Sequence, residues 1–268
     1  YNFILKNEIN FPIPKIFNFQ NNIENNKIEM FYYKNYITLL DYLIKFNNNI
    51  IIEKIFNYIN NLHSNSEKTL KKEEFRKIIL LETIKKVKNR YLLIEKFIEK
   101  YYFIKKVNNI EIYSFEYILG KLEKLLLKEI DKLEPKFNPI HGDIHLNNIL
   151  INPNTNKIIF IDPKGIFGKE QIYGLKEYDY SKFYFGLEGY SKFDFSTIYN
   201  LDIENDNINI KMETFNINEN KKNKLVEILI ILIWMGNAHA FKCDKKKIIS
   251  YFYSLYLGSL FLIKKKLF

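Results

Sequence analysis

The sequence predicts an α+β fold, because strand-type segments occur at two places in a chain whose other apolar residues follow a helical spacing. Residues 11–33 contain two short apolar segments separated by an Asn-rich turn, which predicts a small β-hairpin. A second such pair lies in residues 149–161, around a Pro-Asn turn. Elsewhere apolar residues recur three and four positions apart, as the core-facing side of a helix requires.

Several helices are predicted between and after the two hairpins. Their apolar positions alternate with Glu and Lys on the side expected to face water. The predicted helical stretches are residues 38–61 (two helices divided by a turn at 47–49), 73–105, 113–134, 221–240 and 245–265.

The composition is typical of a globular protein with a substantial core. Of the 268 residues, 47% are apolar and 16% are aromatic. The single cysteine, Cys243, excludes a disulfide framework and a zinc site of several cysteines. The longest apolar run, residues 228–235, is far shorter than the roughly 20 residues of a bilayer-spanning helix, so no membrane partner is expected. With no secretory leader pattern, these features favour a cytoplasmic location.

The formal net charge of +10 raises the question of nucleic-acid binding. The lysines are scattered through a chain rich in Asn, Ile and Lys, which is the composition that an AT-biased genome produces. We therefore expect no nucleic-acid partner. A generally positive surface would instead help to attract an anionic nucleotide.

The chemistry-bearing residues lie in two polar loops that flank the second hairpin. Residues 141–150 have the sequence HGDIHLNNIL, and residues 159–165 have the sequence IFIDPKG. Phosphoryl transfer from a nucleotide requires an acceptor oxygen held in line and metal ions that neutralise the transferred group. Asp143, Asn148 and Asp162 can converge on one point from these loops and supply one carboxylate for the acceptor and two oxygen ligands for metal.

This pattern resembles the aminoglycoside phosphotransferase and choline kinase family of the protein-kinase-like superfamily. The family pattern is H-G-D-x-x-x-x-N, followed by an apolar hairpin and I-D. It is matched at His141, Gly142, Asp143, Asn148 and Asp162. The resemblance implies a protein-kinase-like fold with a mainly helical C-terminal lobe that carries the catalytic β-hairpin. It also implies ATP and Mg²⁺ as cofactors and a small-molecule hydroxyl as acceptor.

By this resemblance each matched residue has an expected role. Asp143 would accept or orient the proton of the acceptor hydroxyl, and His141 would brace the loop. Asn148 and Asp162 would hold Mg²⁺ against the nucleotide phosphates. The simpler alternative is that Asp and Asn satisfy backbone groups of turns, as these residue types commonly do. Their joint occurrence with HGD beside Ile-rich strands favours the functional interpretation.

Two further residues have alternative interpretations. His145 would contact substrate or be solvated. Asp179, in the segment YDYSK, resembles a family carboxylate that accepts hydrogen bonds from the catalytic-loop backbone, and it would otherwise be a helix N-cap. A zinc site at His141 and His145 lacks a clear third ligand.

Residues 161–195 give a finer resemblance. Their I-D-P-K-G and Y-D-x-x-K runs are similar to those of phosphotransferases encoded near surface-polysaccharide genes. This similarity implies a sugar or another small hydroxyl compound as acceptor.

The part of a kinase that covers the nucleotide phosphates has no place in this sequence. A Gly-rich strand-turn-strand and a strand lysine are expected, but the first glycine is Gly120. We therefore predict a truncated small β lobe and hinge at residues 1–37, and a helical catalytic lobe at residues 38–268. The hinge residues Glu29, Met30, Phe31 and Tyr32 would meet adenine.

Three explanations for the missing cover stay open. The chain is a piece cut from a longer protein whose missing upstream segment supplies the cover, a natural short form that takes its cover from a partner or does without one, or a degenerate relative that binds without catalysis. The leading hypothesis is a small-molecule kinase, and the second is a kinase-like binding or scaffold module. A protein kinase is less favoured, since HGD replaces His-Arg-Asp and no activation segment is evident.

Overall fold

A computed structural model describes residues 2–21, 26–195, 201–215 and 222–266, and within them the predicted α+β architecture is confirmed. The helices are α1 (Asn2–Lys6), α2 (Leu39–Phe46), α3 (Ile50–Ser64), α4 (Lys72–Leu80), α5 (Lys86–Leu92), α6 (Glu95–Ile98), α7 (Phe115–Ile130), α8 (Lys176–Phe185), α9 (Ser191–Phe195), α10 (Lys224–Met235) and α11 (Asp244–Lys264). The strands are β1 (Ile16–Asn21), β2 (Asn26–Met30), β3 (Ile37–Thr38), β4 (Lys68–Thr69), β5 (Lys106–Val107), β6 (Ile110–Glu111), β7 (Lys136–Pro139), β8 (Ile149–Ile151), β9 (Ile158–Phe160), β10 (Tyr173–Gly174), β11 (Asp202–Glu204) and β12 (Asn207–Asn209).

The N-terminal hairpin is formed by β1 and β2, which pair antiparallel from Ile16 opposite Met30 to Asn21 opposite Asn26. The Asn-rich turn predicted between them includes residues 22–25, which lie outside the described residues. The segment before β1 runs along β9, where the Phe160 N–H donates to the Pro12 carbonyl over 2.8 Å. This bond fixes the N-terminal segment against the second hairpin.

The second hairpin is formed by β8 and β9 and extended by β3 into a three-stranded sheet. Ile149 lies opposite Phe160, and Thr38 lies opposite Leu150. Apolar side chains of this hairpin are buried, and Phe160 also stacks on Phe11 with ring centroids 4.3 Å apart. The sheet therefore joins the N-terminal segment to the helical part of the chain.

The helical core is centred on α10, which packs against α7, α8 and α11. The apolar run of residues 228–235 belongs to α10, and nearly all of its side chains are buried. Trp234 is fully enclosed by aromatic rings that include Phe185 and Tyr253. Among the described helices, none has the length and apolar character needed to cross a membrane.

The helical stretch predicted at 73–105 is interrupted in the structure. A π-helical segment, Leu81–Lys85, separates α4 from α5, and α6 and a 3₁₀ turn at Glu99–Tyr101 follow. A π turn adds one residue to a helix and barely disturbs its apolar spacing, so the sequence pattern does not reveal it. Such segments occur often at functional sites.

Several short strands were not predicted, because two- to four-residue pairs are too short to show alternation. In one three-stranded sheet β7 lies between β4 and β10, and β12 pairs with both β11 and β5 in another. The first of these sheets matters for the site, since Pro139 at the end of β7 lies two residues before His141. Ile140 extends the pairing by donating its N–H to the Ile172 carbonyl over 2.8 Å.

Phe160 should be essential to the stability of this arrangement. Replacing Phe160 with Ala removes a fully buried ring that packs on Phe11, and we expect the free energy of unfolding to fall by about 3–5 kcal/mol. The control is Phe17→Ala on β1, where the side chain is 61% exposed and the expected change is within about 0.5 kcal/mol. Urea denaturation of both variants measures the difference, and equal losses would contradict the packing described here.

Candidate active site

The loop of residues 141–148 connects β7 to β8 and carries four of the predicted site residues, His141, Asp143, His145 and Asn148. Its apolar residues Ile144 and Leu146 are completely buried and anchor the loop in the core. A 3₁₀ turn at Leu146–Asn148 closes the loop before β8 begins.

The backbone at the start of this loop is held by Asp179, whose side chain is fully buried. One carboxylate oxygen accepts from the His141 N–H over 2.9 Å, and the other accepts from the Gly142 N–H over 2.7 Å. His63 Nε2 lies 3.1 Å from the same carboxylate. Leu175 occupies the N-cap of α8 and Asp179 lies inside the helix, so the capping alternative does not apply. The carboxylate instead serves the loop backbone.

His141 connects the two polar loops through both of its ring nitrogens. Its Nδ1 accepts from the Asp143 N–H over 3.3 Å, so Nε2 carries the proton and donates to the Ile161 carbonyl over 2.9 Å. Burial lowers the pKa of His141 in spite of the charges of Asp179 and Asp143. The ring is therefore neutral at pH 7, and neither nitrogen is available to a zinc ion.

Asp162 lies between two backbone hydrogen bonds to the catalytic loop. The Ile161 N–H donates to the Asn148 carbonyl over 3.0 Å, and the Lys164 N–H donates to the His141 carbonyl over 2.9 Å. Asp162 itself is exposed and has a φ of 56°, a left-handed conformation that is uncommon outside glycine. Such outliers cluster at ligand and active sites, where the surrounding structure enforces them.

Asn148 is buried and has one side-chain atom suited to a metal ion. Its Nδ2 donates to the Asp143 carbonyl over 3.0 Å, which leaves Oδ1 as the atom for a cation. Across the described ranges, no three His, Cys, Asp or Glu side chains form a metal-binding group by themselves. Mg²⁺ commonly keeps water and substrate phosphates in its shell, so one carboxylate and one amide oxygen fit it.

Asp143 forms an ion pair with Lys182 that was not predicted from the sequence. Lys182 Nζ lies 2.9 Å from one oxygen of Asp143. Burial alone would raise the pKa of Asp143, but the Lys182 charge and the nearby His145 lower it below the usual range. Asp143 is thus ionised at neutral pH. The available signal was the position of Lys182 three residues after Asp179, one helical turn further along the same face of α8.

His145 lies beside Asp143 without forming a hydrogen bond to it. Its Nε2 is 3.8 Å from the second Asp143 oxygen, and its ring meets the Tyr190 ring edge-on at 6.0 Å. Burial lowers the pKa of His145, against the opposing charges of Asp143, Asp194 and Asp162. Its Nδ1 is buried with no hydrogen-bond partner in the described part of the chain.

Glu82, in the π-helical segment, fixes the chain that follows Asp162 and was also missed by the sequence analysis. Its carboxylate accepts from Lys164 Nζ over 2.6 Å, Lys86 Nζ over 2.9 Å and the Gly168 N–H over 2.9 Å. Burial alone would raise the pKa of Glu82, but the hydrogen bonds and charges of Lys164 and Lys86 lower it to about 2. Glu82 is therefore ionised at neutral pH and pairs with both lysines.

The predicted hinge residues lie on the N-terminal hairpin, apart from the polar loops. Glu29 and Met30 end β2, and the side chains of Met30, Phe31 and Tyr32 are exposed. The Phe31 N–H donates to the Lys15 carbonyl over 2.9 Å, so this amide is occupied. The chain then enters β3, which pairs with β8 next to Asn148. The predicted hinge is thus connected to the hairpin of β8 and β9 through the short strand β3.

Known structures share this fold. The crystal structure of LicA in complex with AMP aligns with a TM-score of 0.50 and 13% identity, over 97% of this chain and 77% of that chain. Choline kinase LicA from Streptococcus pneumoniae aligns with a TM-score of 0.48 and 13% identity, over 96% and 77% of the two chains. Glucosamine kinase in complex with glucosamine, ADP and inorganic phosphate aligns with a TM-score of 0.48 and 8% identity, over 98% of this chain and 66% of that chain.

At these identities the likeness concerns the fold alone. The predicted relation to the protein-kinase-like fold of small-molecule phosphotransferases is confirmed at that level. Searches with protein-family models and against curated protein sequences find no match.

The Glu82 network should give the protein a specific acid sensitivity. Because the folded-state pKa of Glu82 is about 2 against an ordinary 4.5, its contribution to stability is present above pH 4.5 and is lost as the pH falls toward 2. Glu82→Gln should therefore be less stable than the unmodified protein at pH 7, and the difference should shrink below pH 4.5. The control is Glu53→Gln, an exposed acid on α3. Denaturation midpoints between pH 7 and pH 3 measure this, and a difference that does not change with pH would contradict it.

Proposed function

We propose that this chain is the catalytic part of an ATP- and Mg²⁺-dependent phosphotransferase that phosphorylates a hydroxyl group of a small molecule, such as a sugar or a related metabolite. One observation carries the proposal: the segment around Asp162 is hydrogen-bonded on both sides to the loop that holds Asp143 and Asn148. The side chains of Asp143, Asn148 and Asp162 are thus carried by two joined turns. With ATP as donor, the reaction belongs in the cytoplasm.

Asp143 acts on the acceptor in this proposal. Its carboxylate is ionised beside Lys182 and partly exposed, so it can accept a hydrogen bond from the acceptor hydroxyl and orient the oxygen for in-line attack. His141 and Asp179 hold the loop backbone on which Asp143 sits. His145, next to Asp143, is a candidate contact for the acceptor.

Asn148 Oδ1 and the Asp162 carboxylate are the side-chain groups that would hold Mg²⁺. When bound, the metal neutralises charge on the nucleotide phosphates. The fixed backbone of both residues means that the ligands need little rearrangement, which favours binding.

Residues 1–37 are proposed to be the remnant of the small lobe with the hinge, and residues 38–268 the catalytic lobe. Because the Phe31 N–H is already occupied, adenine would meet other backbone groups within Glu29 to Tyr32. A partner or an upstream segment is proposed to cover the phosphates. The activity of this stretch alone is therefore expected to be weak or dependent on that partner.

The second candidate function is a kinase-like binding or scaffold module without turnover. It is favoured by one feature of residues 1–119, namely that they contain no glycine and so do not themselves supply a Gly-rich segment for the phosphates. The two candidates differ in whether phosphate reaches an acceptor, which the first experiment below measures.

Asp143→Asn should abolish turnover and leave the fold intact. We expect a loss of about 10²–10⁴-fold in phosphoryl transfer, because the amide cannot accept the acceptor proton. The assay measures ADP release in the presence of ATP, Mg²⁺ and a panel of hydroxyl compounds. The panel begins with choline and glucosamine, after which the similar kinases are named. Asp131→Asn, an exposed acid paired with Arg76, is the control. Unchanged turnover in Asp143→Asn would refute the assigned role. Turnover of any acceptor by the unmodified protein would exclude the scaffold.

Nucleotide binding should depend on magnesium through Asp162. In calorimetry, the unmodified protein should bind ADP more tightly when Mg²⁺ is present. Asp162→Asn should lose this gain, so that its affinity for ADP with Mg²⁺ is at least about tenfold lower. Asp202→Asn, on an exposed strand remote in sequence, is the matched control. If Mg²⁺ has no effect on the unmodified protein, the metal role of Asn148 and Asp162 is wrong.

A further inference from the structure

A small cavity with a mixed polar and apolar lining lies beside Lys182, between the π-helical segment, α5, α8 and α10. Its volume is about 30 Å³, which is room for roughly two water molecules. The charged and amide groups of its lining are those of Glu82, Lys86, Arg90, Lys182 and Asn237. The cavity is therefore large enough for the end of a ligand and not for a whole sugar.

Positive charge predominates around this cavity. Lys86, Arg90 and Lys182 line it together with one carboxylate, Glu82, which already accepts hydrogen bonds from Lys86, Lys164 and a backbone amide. The effect extends to neighbouring groups. Burial and then the charge of Lys164 lower the pKa of Lys86.

His239, next to the cavity lining, is affected by the same positive charges. Its ring lies next to the lining at Gly236, whose carbonyl is 3.0 Å from Nδ1. Burial lowers the pKa of His239, and the charges of Arg90 and Lys86 lower it further. An anion entering the cavity would thus meet an excess of positive charge.

Two donors at the cavity are also left with hydrogen-bonding capacity. Asn237 Nδ2 is buried and has no hydrogen-bond partner among the residues that the structure describes. Among the same residues, the Arg90 guanidinium makes one hydrogen bond, from Nη1 to the Gly236 carbonyl over 3.2 Å, although it carries five N–H groups. An unpaired buried donor is destabilising, and a ligand oxygen would satisfy it.

We propose that this cavity binds an oxyanion group of the acceptor, so that the substrate of this protein is a hydroxyl compound bearing a carboxylate or a phosphate. Arg90 and Asn237 donate to the oxyanion, and Lys86 and Lys182 balance its charge. Lys182 is shared between the cavity and Asp143, whose carboxylate it contacts at 2.9 Å. The hydroxyl to be phosphorylated then lies on the Asp143 side of Lys182. The inference rests on the proposed function and narrows its substrate class.

A series of compounds with one carbon skeleton tests the charge preference directly. The compounds differ mainly in their charged group. Glycerate carries a carboxylate, glycerol 3-phosphate carries a phosphate, glycerol is neutral and 3-aminopropane-1,2-diol is cationic. Calorimetry on the complete chain without nucleotide should detect binding of one or both anions, at least about tenfold tighter than the neutral and cationic compounds, as one charge-assisted hydrogen bond provides. The ratio between the first two compounds tells which oxyanion the site prefers.

Variants of the cavity locate the binding. Asn237→Asp replaces the free donor with a carboxylate of the same size and should weaken anion binding by at least about tenfold. Arg90→Gln should have a similar effect, and Arg90→Lys, which keeps the charge, should bind better than Arg90→Gln even if both are less stable. Lys88→Gln removes a mostly exposed charge from the same helix, α5, and should bind as the unmodified protein does.

The outcomes separate this inference from the proposed function. Anion binding that is lost in Asn237→Asp and kept in Lys88→Gln supports the cavity assignment, and Asp143→Asn should retain it even though turnover is lost. If neither anion binds, if the neutral or cationic compound binds as tightly, or if Asn237→Asp binds anions as tightly as Lys88→Gln, the inference is wrong. Turnover of a neutral acceptor would then leave the kinase assignment standing.

Discussion

The buried carboxylate of Asp179 is the interaction on which the geometry of this site depends. It accepts hydrogen bonds from two successive backbone amides, those of His141 and Gly142, and a third contact comes from His63 on α3. A buried charge is tolerated only when it is paired and hydrogen-bonded, so these contacts are mutually required. The position of the Asp143 backbone follows from them. Glycine suits position 142, because its φ is 81° and a Cβ there would lie 2.9 Å from the Lys164 side chain.

Helix α8 controls both the position and the charge of the candidate catalytic group. Asp179 fixes the loop backbone, and Lys182, about one turn later on the same helix, contacts the Asp143 carboxylate. Rotation of α8 would therefore disturb the loop and the ion pair together. The packing of α8 on the apolar α10 opposes such a rotation, which links the site to the largest part of the core. The packing of α8 on α10 therefore couples the stability of the core to the geometry of the site.

The sequence revealed those parts of the fold and site that are local in the chain. The hairpin of β8 and β9 and the loop with Asp143 and Asn148 were predictable, since a few adjacent residues determine them. The contacts of Lys182 with Asp143 and of Glu82 with Lys164 were not, because these partners lie 39 and 82 residues apart. The position of Lys182 one turn after Asp179 indicated only that the two residues share a face of α8. The π-helical segment that presents Glu82 is hidden for a related reason, since it keeps the apolar spacing of an ordinary helix.

The lowered pKa of Asp143 constrains how the proposed reaction can proceed. An ionised carboxylate that Lys182 stabilises is a weak base, so it gains little by removing a proton from an acceptor hydroxyl in the ground state. Phosphoryl transfer through a loose transition state requires little such removal, because bonding to the acceptor oxygen is still slight when the barrier is crossed. The useful contribution of Asp143 is then to align the hydroxyl and to take its proton late. An anionic acceptor suits the same arrangement, since Lys182 would offset the added charge while it holds Asp143 in place.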